Sequence, residues 1–190
     1  MHEAAIGGLH LSRKEPKYCV SSSGFDLNIC AWNLQTQAKI GSVTTSKLSS
    51  KFMLAQAPDL DLYAALPGAT TPEIVLFKLN LKLEESKQAL EKVMALSGHS
   101  KPLIWFDFSA DICASISKDM TLVLQKIDKD NLKSLMIDKV QCGELQDCSR
   151  VAVFKIEGVG KEQERIYTGI THAEGMTVTC FTKQSSTYAV

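Results

Sequence analysis

The chain has 190 residues, 21 basic and 21 acidic, for a formal net charge of zero. That balance leaves no excess of Lys and Arg to displace counterions, which argues against a broad phosphate-binding surface and leaves room only for a local basic patch, and a hydrophobic content of 45% excludes a disordered tail. No run of about 18 apolar residues is present to span a bilayer, and the opening MHEAAIGG lacks a secretory-signal pattern. The six cysteines include no CxxC pair and give no zinc-ligand spacing, so reduced thiols, several of them buried on strands, are expected.

The first predicted elements follow His2. An apolar stretch from Ile6 to Leu11 leads to YCVSSSGFDLNICAW, in which Asp26 stands six residues before Trp32. β-Branched and aromatic runs bounded by Ser, Gly and Asp read as short strands joined by tight turns. A weaker copy runs from Phe52 to Phe77. It has Phe77 at the aromatic position and Thr71-Pro72 in place of a turn aspartate. In the charged spacer from Lys82 to Leu96, Leu83, Leu90, Val93 and Met94 fall near helical spacing among good helix formers. It reads either as a helical insertion that binds a partner or as a loop leading into an outer strand. The second reading is preferred.

The clearest unit runs from Gly98 to Asp128. Leu103 to Phe108, Ile112 to Ser117 and Thr121 to Ile127 read as three antiparallel strands separated by Ser-Ala-Asp and Lys-Asp-Met turns. In Asp119-x-Thr121-x-x-x-Gln125 the turn aspartate again stands six residues before an inward-facing position. Arg150 to Ile156 places Phe154 at the same position in an eroded further unit, and His172 opens what reads as a fifth. Positions 32, 77, 125 and 154 give steps of 45, 48 and 29. Two of these lie near the ~40–45 residues of a four-stranded propeller blade. Three of the four histidines, His2, His99 and His172, open a repeat.

These features resemble the WD40 β-propeller family. The resemblance implies an all-β fold of about four to five four-stranded antiparallel blades in an incomplete ring, with approximate boundaries 2–42, 43–96, 97–130, 131–168 and a truncated 169–190. It also implies a buried structural tetrad of His2, Ser22, Asp26 and Trp32 in the first blade. In the third blade the same roles fall to His99, Ser115 (or Ser117) and Asp119, with Gln125 replacing tryptophan. A histidine held by a turn aspartate, with serine and tryptophan donors completing the chain, satisfies polar groups between neighbouring strands. The order TPEIVLFKLNLK (71–82), spacer, ALSGHS (95–100), FDFSADICASISKDMTLVLQKID (106–128) and THAEG (171–175) is similar to transducin-beta-like members of the family. A seven-blade ring needs roughly 300 residues. The chain is therefore expected to be a fragment, a truncated product or a shortened isoform.

Ser115, His99 and Asp119 are the residue types of a hydrolytic triad. Within a blade they are hydrogen-bonded to structure, with no cleft or oxyanion donors, so no catalytic residue is expected. Glu157 to Glu162 fails as a phosphate loop, because Lys155 stands where a glycine is needed and Glu162 where Ser or Thr is needed. Asp59 and Asp61 read as a solvated turn pair. No cofactor or metal is expected. The expected function is a non-catalytic scaffold for other proteins. The alternative is a propeller-type factor associated with RNA or the ribosome, against which stand the neutral charge and 7% aromatic content. The transducin-beta-like resemblance implies a cytoplasmic protein associated with the endoplasmic reticulum through an anchor or a partner, acting in stress signalling and translation control.

Overall fold

The computed structural model describes residues 3, 5–11, 17–23, 25–44, 55–57, 63–67, 72–80, 90–128, 130–142, 148–156, 164–173, 175–184 and 187–189. Every regular element among them is a β-strand, and no helix is long and apolar enough to cross a membrane. The strands form four antiparallel sheets of four strands, each in chain order. The first sheet holds β1 (Gly8–Leu11), β2 (Tyr18–Ser22), β3 (Asn28–Asn33) and β4 (Ala38–Thr44). The second holds β5 (Ala55–Ala57), β6 (Tyr63–Pro67), β7 (Ile74–Leu79) and β8 (Leu90–Leu96). The third holds β9 (Leu103–Ser109), β10 (Ile112–Ser117), β11 (Thr121–Asp128) and β12 (Lys133–Gln141). The fourth holds β13 (Arg150–Ile156), β14 (Arg165–His172), β15 (Gly175–Gln184) and β16 (Thr187–Ala189).

Short side chains with oxygens near the backbone set the hairpins. Asn33 Oδ1 accepts from the N–H groups of Gln35 and Thr36, and Asp128 Oδ1 accepts from those of Asp130 and Asn131. Four residues beyond each stands a left-handed residue, Gln37 (φ 57°) and Leu132 (φ 51°), so the third-to-fourth strand hairpins of the first and third sheets are built alike. The third strand also carries a register shift at one place in three sheets: between Ala31 and Trp32, Leu76 and Phe77, and Leu124 and Gln125. The aromatic-or-equivalent positions read from spacing, 32, 77 and 125, therefore sit just past a bulge.

The chain divides into two compact units, Met1–Ser97 and Gly98–Val190, each with two sheets. Strand alternation gives every sheet two faces. In the first unit Tyr18, Ile29, Ala31 and Ile40 of the first sheet pack with Phe77 and Leu90 of the second. In the second unit Ile112, Ala114, Leu122 and Leu124 of the third sheet pack with Val151, Ile166, Ile170 and Phe181 of the fourth. Each fully buried Leu, Ile or Phe contributes about 1.5–3 kcal/mol, and these two seams are where such residues concentrate.

Three readings of the sequence change. The third sheet does not end near 130, because β12 extends to Gln141. Exposed or half-buried along its whole length, this outer strand has almost no apolar alternation, so strand patterning misses it. Phe154 lies on β13, the first strand of the fourth sheet, and is not a third-strand aromatic. His172 ends β14, with Gly175 opposite it across the next hairpin; it opens no fifth unit, and residues 175–189 complete the fourth sheet. The end of the charged spacer, Leu90–Leu96, is the outer strand β8. Asp59, Asp61 and the glycine-rich 157–162 lie outside the described residues.

Leu124, with no exposed surface, sits in the seam of the second unit. Leu124→Ala is expected to destabilise that unit by about 3 kcal/mol through lost burial and the cavity left behind, read as a lower urea midpoint at unchanged slope.

Candidate functional site

The third sheet assembles a buried polar network around the turn between β10 and β11. Ser117 Oγ accepts the Asp119 N–H (3.1 Å) and donates to the Lys101 carbonyl (2.7 Å), so the turn is tied to the segment entering β9. Met120 takes a left-handed φ of 64°, which lets Asp119 Oδ1 reach the N–H (3.1 Å) and hydroxyl (2.6 Å) of Thr121. The other carboxylate oxygen accepts the Ser100 N–H at 2.7 Å. His99 closes the set: its Nδ1 lies 3.2 Å from Asp119 Oδ1 and its Nε2 2.9 Å from Ser115 Oγ. These partners assign a neutral imidazole that donates from Nδ1 to the carboxylate and accepts the Ser115 hydroxyl at Nε2.

The ionisation of the pair follows from these contacts. Burial alone would raise the Asp119 pKa. The donors from Thr121, Ser100 and His99 outweigh it and hold the carboxyl well below the usual carboxylate range. For His99, burial outweighs the attraction of Asp119, and its pKa falls below the ordinary histidine value. Ser115, His99 and Asp119 have the order of atoms found in a hydrolytic triad. Ser115 is only 3% exposed, on a strand buried at every residue, so the hydroxyl meets no substrate. The arrangement holds a turn.

Gly98, just before the network, has φ +145°. A Cβ there would come within 3.1 Å of Met136 Cε and 3.2 Å of Val123 Cγ1, while Lys139 Nζ donates to the Gly98 carbonyl at 2.7 Å. Only glycine fits both the dihedral and the space.

The first sheet repeats the plan with one change. Asp26 Oδ1 accepts the Asn28 N–H (2.9 Å) across a left-handed Leu27, and Asp26 Oδ2 accepts the Glu3 N–H (3.0 Å). Glu3 thus takes the place of Ser100; His2, its neighbour, lies outside the described residues. The Trp32 indole N–H donates to Ser21 Oγ at 2.6 Å, whereas Ser22 donates to the Gly8 carbonyl at 3.3 Å. The expected serine was therefore one residue out. Counting back four residues from the aspartate finds Ser115 in the third sheet and Ser22 in the first. The first-sheet turn, however, holds an extra residue, and Ser23 Oγ meets Asp26 N across three residues where Ser117 meets Asp119 across two. Gln125 stands opposite Cys113 as Trp32 stands opposite Cys19, and is 4% exposed. His172 Nε2 lies 3.2 Å from Thr177 Oγ1 at a hairpin and joins no such network among the described residues.

Polar contacts also set the register between the third and fourth sheets. Asp107 Oδ2 and Ser109 Oγ, two residues apart on β9, accept the N–H groups of Val153 and Lys155 at 3.1 and 3.0 Å. The Lys155 ammonium is buried and pairs with Asp111 (2.8 Å) and Glu164 (3.6 Å), and the Arg150 guanidinium lies 4.8 Å from the Trp105 ring centroid. Sequence reading gave none of Ser21, Ser100, Asp107 and Lys155 a structural role. Only the Asp-x-Thr spacing at Thr121 offered a signal.

No protein-family profile and no curated protein matches the sequence. Solved structures do match. The chain is similar to the structure of U3-55K (TM-score 0.59, 13% identity), covering 95% of this chain and 53% of that one. It is similar to RRP9 WD40 repeats (TM-score 0.60, 13% identity), covering 99% and 54%. A chain of the mitotic checkpoint complex matches at TM-score 0.53 and 17% identity, over 66% and 37%. The fold is all-β and built of WD40-type propeller blades. The chain spans about half the length of the first two of these structures.

Both titrations weaken the second unit in acid, and the signs agree. A depressed histidine pKa means the unfolded chain takes up the proton first, so stability falls as pH drops below about 6.5; the depressed Asp119 removes more below about 4. Urea midpoints between about pH 8 and pH 4 should fall in that order, and Asp119→Asn should flatten the lower step. In a Trp105→Phe background, Ser21→Ala should alter Trp32 fluorescence and Ser22→Ala should not.

Proposed function

We propose that the chain is a non-catalytic scaffold that binds other proteins through the turns at the network end of its sheets. The observation that carries this reading is where the reactive side chains lie. The Ser–His–Asp set of the third sheet is buried as turn support, while the corresponding turn of the first sheet, held by Ser23 and Asp26, projects Phe25, 81% exposed. Rigid strands carrying exposed, chemically varied turns are how one fold serves many partners. The similarity to a chain of the mitotic checkpoint complex supports a binding role.

The finer reading is kinship with transducin-beta-like protein 2, resting on the motif order between Thr71 and Gly175. It carries a cytoplasmic protein, associated with the endoplasmic reticulum through an anchor or partner, in stress signalling and translation control.

Affinity capture with the 190-residue chain, with and without RNase, tests the proposal. A defined set of proteins retained after RNase and lost with Phe25→Ala is expected, with the melting temperature unchanged within about 2 °C. Release by RNase or moderate salt would replace the scaffold with the RNA- or ribosome-associated alternative.

A further inference from the structure

Two of the chain's thiols meet where the third and fourth sheets pack. Cys142 follows β12 directly and is 9% exposed, buried in the apolar seam that Leu122, Val151 and Ile170 share. Cys148 stands in the segment entering β13, half-buried, and packs against the same cluster. The other two cysteines of this unit point elsewhere. Cys113 alternates with the seam residues Ile112 and Ala114, and Cys180 precedes the seam residue Phe181, so both face away from the seam.

Backbone hydrogen bonds bring Cys142 and Cys148 to the network end of the sheets. The Cys142 N–H donates to the Met120 carbonyl at 2.7 Å, in the turn that Asp119 holds. On the neighbouring sheet, β13 follows β9 at a constant offset. Asp107 accepts from Val153 and Ser109 from Lys155, 46 positions on in each case. The same offset carried back along the two strands sets Cys148 level with Pro102. The Pro102 carbonyl accepts the Lys118 N–H at 3.0 Å, from the same turn as Met120. Both cysteines therefore stand beside one turn. Burial raises the Cys142 thiol above its ordinary pKa and the nearby Cys148 raises it further, so the two sulfurs lie within electrostatic reach.

We infer that Cys142 and Cys148 are a modification site: a reversible disulfide clasp between the third and fourth sheets, set by a low-molecular-weight disulfide of the glutathione type. The Cys148 thiolate, the more accessible of the two, attacks one sulfur of the small disulfide. A mixed disulfide forms and one small thiolate leaves. Cys142 then gives its proton to solvent and attacks the Cys148 sulfur. The Cys142–Cys148 bond forms and the second small thiolate leaves. Two protein thiols are oxidised, and one small disulfide is reduced to two thiols. The clasp ties the Asp119 turn, through Cys142, to the start of the fourth sheet, through Cys148. The inference is independent of the proposed partner binding.

The test equilibrates the full chain with graded ratios of reduced and oxidised glutathione, alkylates the remaining thiols and digests with trypsin. Lys139 and Arg150 bracket both cysteines, so a single peptide, residues 140–150, reports the bond. It should be lighter by two hydrogens and carry no alkyl group. The folded chain is expected to form the bond at least about 10-fold more readily than the chain in urea. By linkage the oxidised chain then melts about 2–4 °C higher, and the shift reverts on reduction. Cys148→Ser should remove both bond and shift, and Cys142→Ala, which keeps the buried position apolar, should trap glutathione on Cys148. Should Cys142→Ala fail to fold, the folded-against-urea comparison on wild type decides. Oxidation equally easy in urea overturns the inference. So does a glutathione adduct that persists on wild-type Cys148, pairing of either cysteine with another, or no oxidation at any ratio.

Discussion

The Asp119 carboxylate is the constraint on which the third sheet depends. It gathers donors from the segment before β9 (Ser100 and His99) and from the start of β11 (Thr121), so two separate stretches of chain meet at one pair of oxygens. Buried polar groups are costly unless paired, and here each supplies what another lacks. His99 is neutral and bridges the carboxylate to Ser115, carrying the restraint into the middle of β10. The turn, the loop and the strand are fixed as one body.

That body has to register against its neighbour, and a second polar device does so. Apolar seams are tolerant of sliding, since burial is nearly non-directional. Asp107 and Ser109 remove that freedom by accepting two backbone N–H groups of β13 at the spacing of the strand itself. Lys155, paired with Asp111 and Glu164, adds a charge that tolerates no slip in its buried position. Apolar contacts supply the adhesion between these two sheets, and the side-chain-to-backbone bonds set its alignment.

The first and third sheets share the network plan because both contain an Asp-x-polar turn and a histidine or its neighbour at the entry. This much was legible from spacing. The third-strand positions 32, 77 and 125 were also legible, because aromatic or amide side chains recur near the blade period. What misled was the end of the chain. A strand reads by alternation, and β12, exposed along most of its length, has little. Once it was missed, Phe154 and His172 fell into the wrong roles, although each lies on a real strand. Ser22 was misassigned for a smaller reason, since one added residue in a turn shifts every count made from the aspartate.

By itself the sequence determined the all-β class, the short strands with their turn chemistry, and the identity of the His99–Asp119 core of the network. These depend on local preferences and on spacings within about 20 residues, as between His99 and Asp119. Only the tertiary structure decided which serine meets Trp32, that the sixteen described strands group as four sheets, and which faces are buried. Those outcomes depend on register and on contacts between residues such as Asp107 and Val153, 46 positions apart. Alternation fixes that a strand has two faces; packing against another sheet decides which of them faces water.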